Sequence, residues 1–356
     1  MTRKGNWTLL LLGGCTASND LQMAPMDVVV PCVELASGAV DVRIWWPEAA
    51  RTGSSPALVY RVGGAGSDGY EINFSTSDLL MNGVGVIQHL APINENFWRA
   101  DEQDAIACVV GYVRGVPLEI GAVSSLVITG LSLGGNTVLN SVIGRSLDVD
   151  GVVLWESPLV DELILLETSP EMMVDPTLVA GGCTLDAGCL FDGRAARLGF
   201  DAVTGQLFVD ADEDGKQADD EAYYHREVAE GGYAYSRELT SLAQSLFFEE
   251  STPSTSWISG SQLDEFWSAK DATEALISVR DNGSEVPFTY VAAQIDHVQL
   301  VQEHILLAIE GLSGSDHFLV NDAMVSDIDL TTLPNESASA LVLSAELAMV
   351  DILALE

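Results

Sequence analysis

The residues with the clearest chemistry are Gly130-Leu131-Ser132-Leu133-Gly134. A serine hydroxyl is a weak nucleophile until the backbone holds it out beside a base. The G-x-S-x-G spacing does this where a buried strand turns sharply into a helix, and the same turn aims backbone N–H groups at the serine. The flanking sequence fits: Leu126 to Thr129 reads as a buried strand and Gly134 to Ile143 as a helix. Side chains at Gly130 or Gly134 would collide across so tight a turn. Ser132 is therefore the candidate nucleophile, and the backbone N–H of Leu133 a candidate donor to the oxyanion.

A second glycine-rich stretch, Gly63 to Gly69, follows the apolar run Ala57–Val62, in which Arg61 is the one charged residue. Such a loop lets the backbone approach a ligand, and Gly64 or Ala65 is expected to supply the other oxyanion donor. No Gly-Lys-Ser/Thr follows, so it is not a phosphate loop. A third constellation is Asp210-Ala211-Asp212-Glu213-Asp214-Gly215, followed after five residues by Glu221. Its spacing matches a calcium loop, with ligands from Asp210, Asp212, Asp214 and Glu221 and the Lys216 carbonyl, in a structural role. Its upstream side, Gln206–Val209, reads as extended, so the loop resembles an isolated calcium loop more than a paired EF-hand. No cofactor is expected for catalysis.

The elements around these residues alternate. Strand-like segments are Val28–Glu34, Ala39–Trp46, Ala57–Val62, Val84–His89, Ser125–Thr129, Val152–Trp155 and Val286–Ala293, with helix-like segments at Ala100–Val113, Gly134–Ile143 and Leu300–Leu312. That rhythm predicts a mostly parallel sheet with helices on its faces. It stops between Leu159 and Glu285, where the segments Tyr235–Phe248 and Gln262–Ile277 are candidates for the mouth of a pocket. A helix over Ser337–Leu355 is expected to pack on the sheet.

With the elbow, the glycine loop after the third strand and a late acid and histidine, the chain resembles the α/β-hydrolase superfamily over residues 28–160 and 286–320. The resemblance implies an α/β fold with a mostly parallel eight-strand sheet. It also implies a Ser–acid–His order along the chain and a cap or lid inserted between strands 6 and 7. Asp296 follows the seventh strand, the commonest place for the acid, and Glu156 just after the sixth is the alternative. Three late histidines compete for the base. His317, in Gly314-Ser315-Asp316-His317-Phe318, resembles the family's histidine loop, and His297 and His304 are the alternatives. If Phe318–Val320 is itself the eighth strand, His317 precedes it and the usual position after it holds no histidine.

Composition bounds the setting. The formal charge is −38, and lysine occurs only at Lys4, Lys216 and Lys270, a surface that repels nucleic acid and anionic membranes. The start, Met1-Thr2-Arg3-Lys4, an apolar run to Leu12 and Gly13-Gly14-Cys15, has the form of a signal peptide over residues 1–14, with Cys15 placed for lipidation as in a bacterial lipoprotein. The run is too short to span a bilayer. The expected organisation is a tether over 15–27, a core over 28–158, the insertion over 159–285 and the rest of the core over 286–356. Cys183 and Cys189 flank a short loop and are placed to bridge, whereas Cys32 and Cys108 read as buried thiols. The expectation is a serine hydrolase, exported and anchored only by lipid, acting on a small-molecule or lipid-like ester. The alternatives are a non-catalytic binding protein on the same fold and a calcium-dependent surface adhesion module.

Overall fold

The structure is a computed structural model. It describes residues 25–47, 55–63, 76–90, 101–116, 121–157, 159, 179–186, 188–191, 198–201, 206–209, 216, 271–293, 301–324, 333–334 and 338–354.

The core is one sheet. Its strands are β1 (Met26–Pro31), β2 (Ala39–Trp45), β3 (Leu58–Val62), β4 (Gly85–His89), β5 (Leu126–Leu131), β6 (Gly151–Trp155), β11 (Phe288–Val291), β12 (Phe318–Val320) and β13 (Ala323–Met324), in the spatial order β1-β2-β4-β3-β5-β6-β11-β12-β13. The strands from β4 to β12 are all parallel, and β1, β2 and β13 are antiparallel to their neighbours. This is the mostly parallel sheet that the alternating segments predict, in the order of the α/β-hydrolase fold. Eight strands were expected and nine are described; the addition is the two-residue β13, too short to show a hydrophobic period.

Strands β3, β4 and β5 are buried throughout, which is why β3 and β5 read as near-continuous apolar runs instead of alternating ones, while β4 also buries Gln88 and His89. Helices cover both faces. On one lie α2 (Asp101–Arg114), α3 (Leu133–Leu139) with the π-turn Asn140–Gly144 that continues it, α4 (Thr273–Asn282) and α5 (Val301–Leu312). On the other lie α1 (Thr76–Met81) and α6 (Ala338–Leu353), with Val342, Ala345 and Met349 against Val127, Val153 and Val291. Gly151 lets α6 approach, since a Cβ there would run into the Met349 side chain. Burying each such aliphatic side chain contributes about 1.5–3 kcal/mol.

The core resumes earlier than residue 286. Ala272, Ala275, Leu276 and Val279 of α4 are buried in the main cluster, so Thr273–Ile277 lines the core and not a pocket mouth. The insertion leaves and re-enters at one point, where the Ala272 N–H donates to the Leu159 carbonyl at 3.0 Å. Within it, β7 (Val179–Thr184) and β8 (Gly188–Phe191) form one hairpin and β9 (Leu198–Asp201) and β10 (Gln206–Val209) another. Strand β10 coincides with the extended stretch expected before the acidic loop.

The turn of the β7–β8 hairpin is fixed on α4 and α5. Leu185 is buried and its N–H donates to Glu310 Oε2 at 3.1 Å, while Arg280 bridges Glu310 and Asp186 at 3.3 and 2.9 Å. Glu310 and Arg280 sit near the C-terminal ends of their helices, where the chain turns to enter β12 and β11. This turn therefore lies toward the N-terminal ends of the strands.

Cys32 and Cys108 correct the sequence reading: they form a disulfide, with Cα atoms 5.5 Å apart and a sequence separation of 76. Cys32 follows β1 and Cys108 lies on α2, which packs on β1 and β2. Closing a loop of that length stabilises by about 4 kcal/mol in the chain-entropy account. The Glu34 carboxylate lies 3.3 Å from Cys108 Sγ, but the bridge consumes both sulfurs, so these three residues form no metal site. Cys183 and Cys189 face each other in register across the β7–β8 hairpin.

Candidate active site

The elbow is built by clearance. A Cβ on Gly130 would overlap the Gly135 backbone, one on Gly134 the Gly63 carbonyl, and one on Gly135 the Ser157 hydroxyl. With those positions bare, β5 can turn into α3 within one residue. That residue, Ser132, is half-buried and takes φ 50° and ψ −131°, a conformation an L-residue adopts only under constraint. Its N–H donates to the Trp155 carbonyl at 2.8 Å, and its own carbonyl accepts from the Gly135 N–H at 2.9 Å. Both bonds hold the backbone in the strained form and leave the side chain at the strand end.

Leu133 is the first residue of α3, so its N–H has no partner within the helix ladder. Gly63, where β3 ends, packs its carbonyl against Gly134. The glycine loop thus starts in contact with the elbow; Gly64 and Ala65 lie outside the described residues. Glu102, 4% exposed on α2, accepts from the Thr137 hydroxyl at 3.0 Å and ties α2 to the elbow helix.

Glu156 stands beside Ser132. Leu131 pairs with Trp155 across β5 and β6, so Ser132 and Glu156 are the next residues on adjacent strands. Glu156 has φ 45°, is 1% exposed, and donates its N–H to the Val291 carbonyl at 3.0 Å. Asn321, with φ 57°, follows β12. Its N–H donates to the Tyr290 carbonyl at 2.8 Å, and its side-chain amide pairs with the N–H and carbonyl of Ala292 at 3.0 Å each. Asp296 and His297, a few residues beyond Ala292, lie outside the described residues.

The structure corrects the placement of His317. Phe318 is level with Phe288, Phe288 with Val152, and Val152 with Ile128. His317 therefore lies about 16 Å behind Ser132 along the strands, at 3.3 Å per residue, and three strands to the side. It is exposed at the N-terminal edge, where its carbonyl accepts from the Phe288 N–H at 2.8 Å. A base must reach the serine within hydrogen-bonding distance, and His317 does not. The residues after β12 are Asn321 and Asp322, so the position following the eighth strand holds no histidine.

His304 is better placed. It lies in the first turns of α5 and is 1% exposed. Helix α5 follows β11 and returns the chain to the start of β12 over about 18 Å, so its beginning stands at the same edge as Ser132. His89, which the sequence reading did not weigh, also ends a strand at this edge. It is buried, its ring lies 5.4 Å from that of Tyr60, and its Nε2 shares a hydrogen bond with the Tyr60 hydroxyl. Burial holds it neutral, with its pKa lowered to about 3. A lone histidine at the end of a buried strand was the available signal.

Of the acidic loop, only Lys216 is described, in an exposed bend; Asp210, Asp212, Asp214 and Glu221 lie outside the described residues, as does Cys15. Among the described residues no helix is long and apolar enough to cross a membrane.

No protein-family model matches this sequence, and no curated protein matches it. Solved structures do. Carboxyl esterase 2 of the fungus Tuber melanosporum is 12% identical over 93% of this chain and 85% of its own, with a TM-score of 0.48. An esterase of Pyrococcus furiosus is 11% identical over 99% and 96%, at 0.47. A soluble variant of the monoglyceride lipase of Saccharomyces cerevisiae is 12% identical over 93% and 95%, at 0.45. Likeness at this level adds nothing to the strand order and the elbow, which define the fold by themselves.

Proposed function

We propose that this chain is a serine hydrolase that cleaves a carboxylic ester through an acyl-enzyme on Ser132. The observation that carries the proposal is the conformation of Ser132. A non-glycine residue is held at positive φ between a buried strand and a helix, by three glycines whose side-chain space is already filled. Strain of this kind persists where the surrounding structure enforces it, and it presents the hydroxyl at the sheet edge.

In this mechanism Ser132 Oγ attacks the ester carbonyl and a histidine takes its proton. The carbonyl oxygen becomes an oxyanion held by the N–H of Leu133 and that of Gly64 or Ala65. The histidine returns the proton to the departing alcohol, and water then releases the acid by the same steps. The base comes from the segment after β11, as His297 or His304. The acid that orients it is Glu156 or Asp296; burial and adjacency to Ser132 support Glu156.

The same reading takes the protein to be exported and held at the envelope by a lipid on Cys15. The Cys32–Cys108 disulfide supports an oxidising compartment. Calcium at Asp210, Asp212, Asp214, the Lys216 carbonyl and Glu221 would stabilise the insertion without touching the chemistry. A rise in melting temperature with calcium over chelator, abolished by Asp212→Asn, checks that part.

The missing histidine after β12 favours one competitor, a non-catalytic binding protein on this fold. A fluorophosphonate probe separates the two. The hydrolase is labelled, Ser132→Ala is not, and replacing His297 and His304 in turn identifies the base. A folded wild-type protein that resists the probe overturns the hydrolase reading.

A further inference from the structure

Arg61 and Glu346 form the most deeply buried ion pair among the described residues, both side chains being 0% exposed. Arg61 donates from Nε to Glu346 Oε1 at 2.8 Å and from its terminal nitrogen to Oε2 at 2.5 Å. The Thr129 hydroxyl donates to the same Oε1 at 2.9 Å. One carboxylate on the last helix thus binds two strands at once.

The two strands are those that matter for Ser132. Arg61 and Thr129 are direct partners across β3 and β5. Arg61 is two residues before Gly63, where the glycine loop departs, and Thr129 is three before Ser132. The surrounding face is otherwise largely apolar, with Gln88 of β4 buried beside Arg61 as its partner in register. A buried ion pair gives little stability over apolar side chains of the same volume, since desolvating both charges offsets most of their attraction. What it does give is direction: a bidentate guanidinium–carboxylate pair has one favourable geometry.

We infer that Glu346 is a positioning residue for the active site. Through Arg61 and Thr129 it fixes the strand that carries the oxyanion loop relative to the strand that carries the nucleophile. The C-terminal helix α6 is in this sense part of the catalytic scaffold and not only a cover for the sheet. The inference rests on the hydrolase reading above.

The test uses the full-length protein, with the rate of fluorophosphonate labelling and the melting temperature as readouts. Three variants are compared: Glu346→Gln, the apolar double variant Arg61→Met/Glu346→Leu, and Met349→Ala. The last removes packing from the same helix without touching the pair. The double variant is expected to keep or regain thermal stability yet to label about tenfold or more slowly, since small misplacements in an active site cost that much. Met349→Ala is expected to melt lower and label within about twofold of wild type, because packing alone does not aim the serine. A folded double variant that labels at the wild-type rate overturns the inference and leaves the hydrolase reading intact. So does a Met349→Ala variant that slows as much as the double variant. A wild type that does not label overturns both.

Discussion

The two ends of the sheet are made differently. At the end where strands begin, polar side chains extend the ladder without strain. Asp150 accepts the Leu126 N–H at 2.6 Å and an Arg114 N–H at 2.7 Å, and the Ser315 hydroxyl donates to the Val286 carbonyl at 2.8 Å. At the end where strands finish, Ser132, Glu156 and Asn321 follow β5, β6 and β12, each at positive φ. The other non-glycine residues of that kind, Val116 and Ser146, stand where helical segments stop, the ordinary place for a left-handed residue. Asn321 opens the two-residue turn of the β12–β13 hairpin, where asparagine at positive φ is ordinary, but neither a helix ending nor a hairpin accounts for Ser132 and Glu156. Among the described residues the strained, non-turn positions Ser132 and Glu156 thus stand side by side at one edge, where the proposed active site lies.

That contrast can be broken by substitution. On the proposed mechanism the largest effect is expected from Ser132→Ala, which should lower ester hydrolysis by about three orders of magnitude or more while leaving the melting temperature near that of wild type. Next is Gly134→Ala, whose Cβ meets the Gly63 carbonyl. It should cost about 1–3 kcal/mol by denaturant titration and slow labelling as well, because the elbow must open to admit it. His89 sharpens the comparison through pH. Its folded-state pKa of about 3 lies below the ordinary 6.5, so the unfolded chain binds the extra proton between those values. Stability should fall as pH drops from 6.5 toward 3, by about 2 kcal/mol at pH 5, and His89→Gln should flatten that limb of the profile.

At the opposite edge, Asp150→Ala should lower stability by about 1–3 kcal/mol, the cost of an unsatisfied Leu126 N–H. Its labelling rate should match wild type. The smallest effect is expected from His317→Ala, within about 0.5 kcal/mol for an exposed residue and with no change in labelling. Slow labelling in that variant would return His317 to the active site and undo the assignment of the two edges.

Much of this was legible in the residues. The elbow was legible because the chemistry demands glycines at fixed spacing, and the central strands because full burial leaves long apolar runs. Helix α2, expected over Ala100–Val113, forms over Asp101–Arg114. What was not legible depends on contacts between distant segments. Cys32 and Cys108 meet only because α2 packs on β1, and nothing local to either marks the bond. His317 was misplaced because its likeness to a histidine loop outweighed the strand-like Phe318–Val320 that follows it, which is indeed β12. The Arg61–Glu346 pair left a trace on each side, a lone arginine in an apolar strand and a lone glutamate in an apolar helix. Pairing them required knowing that the helix packs over β5, β6 and β11, within reach of the arginine on the neighbouring strand.

The hydrogen bond between Ala272 and Leu159 also bears on how the molecule is made. Strand β6 is complete when residue 155 has been synthesised, but its neighbour on the open side starts at Phe288. At the usual pace of synthesis that edge waits on the order of ten seconds. Until then the edge of β6 lacks its native partner, and an unpaired edge can join another extended chain. The nascent protein is thus most prone to association midway through its production, and slowing translation across the insertion should lower soluble yield more than slowing it anywhere before Gly151.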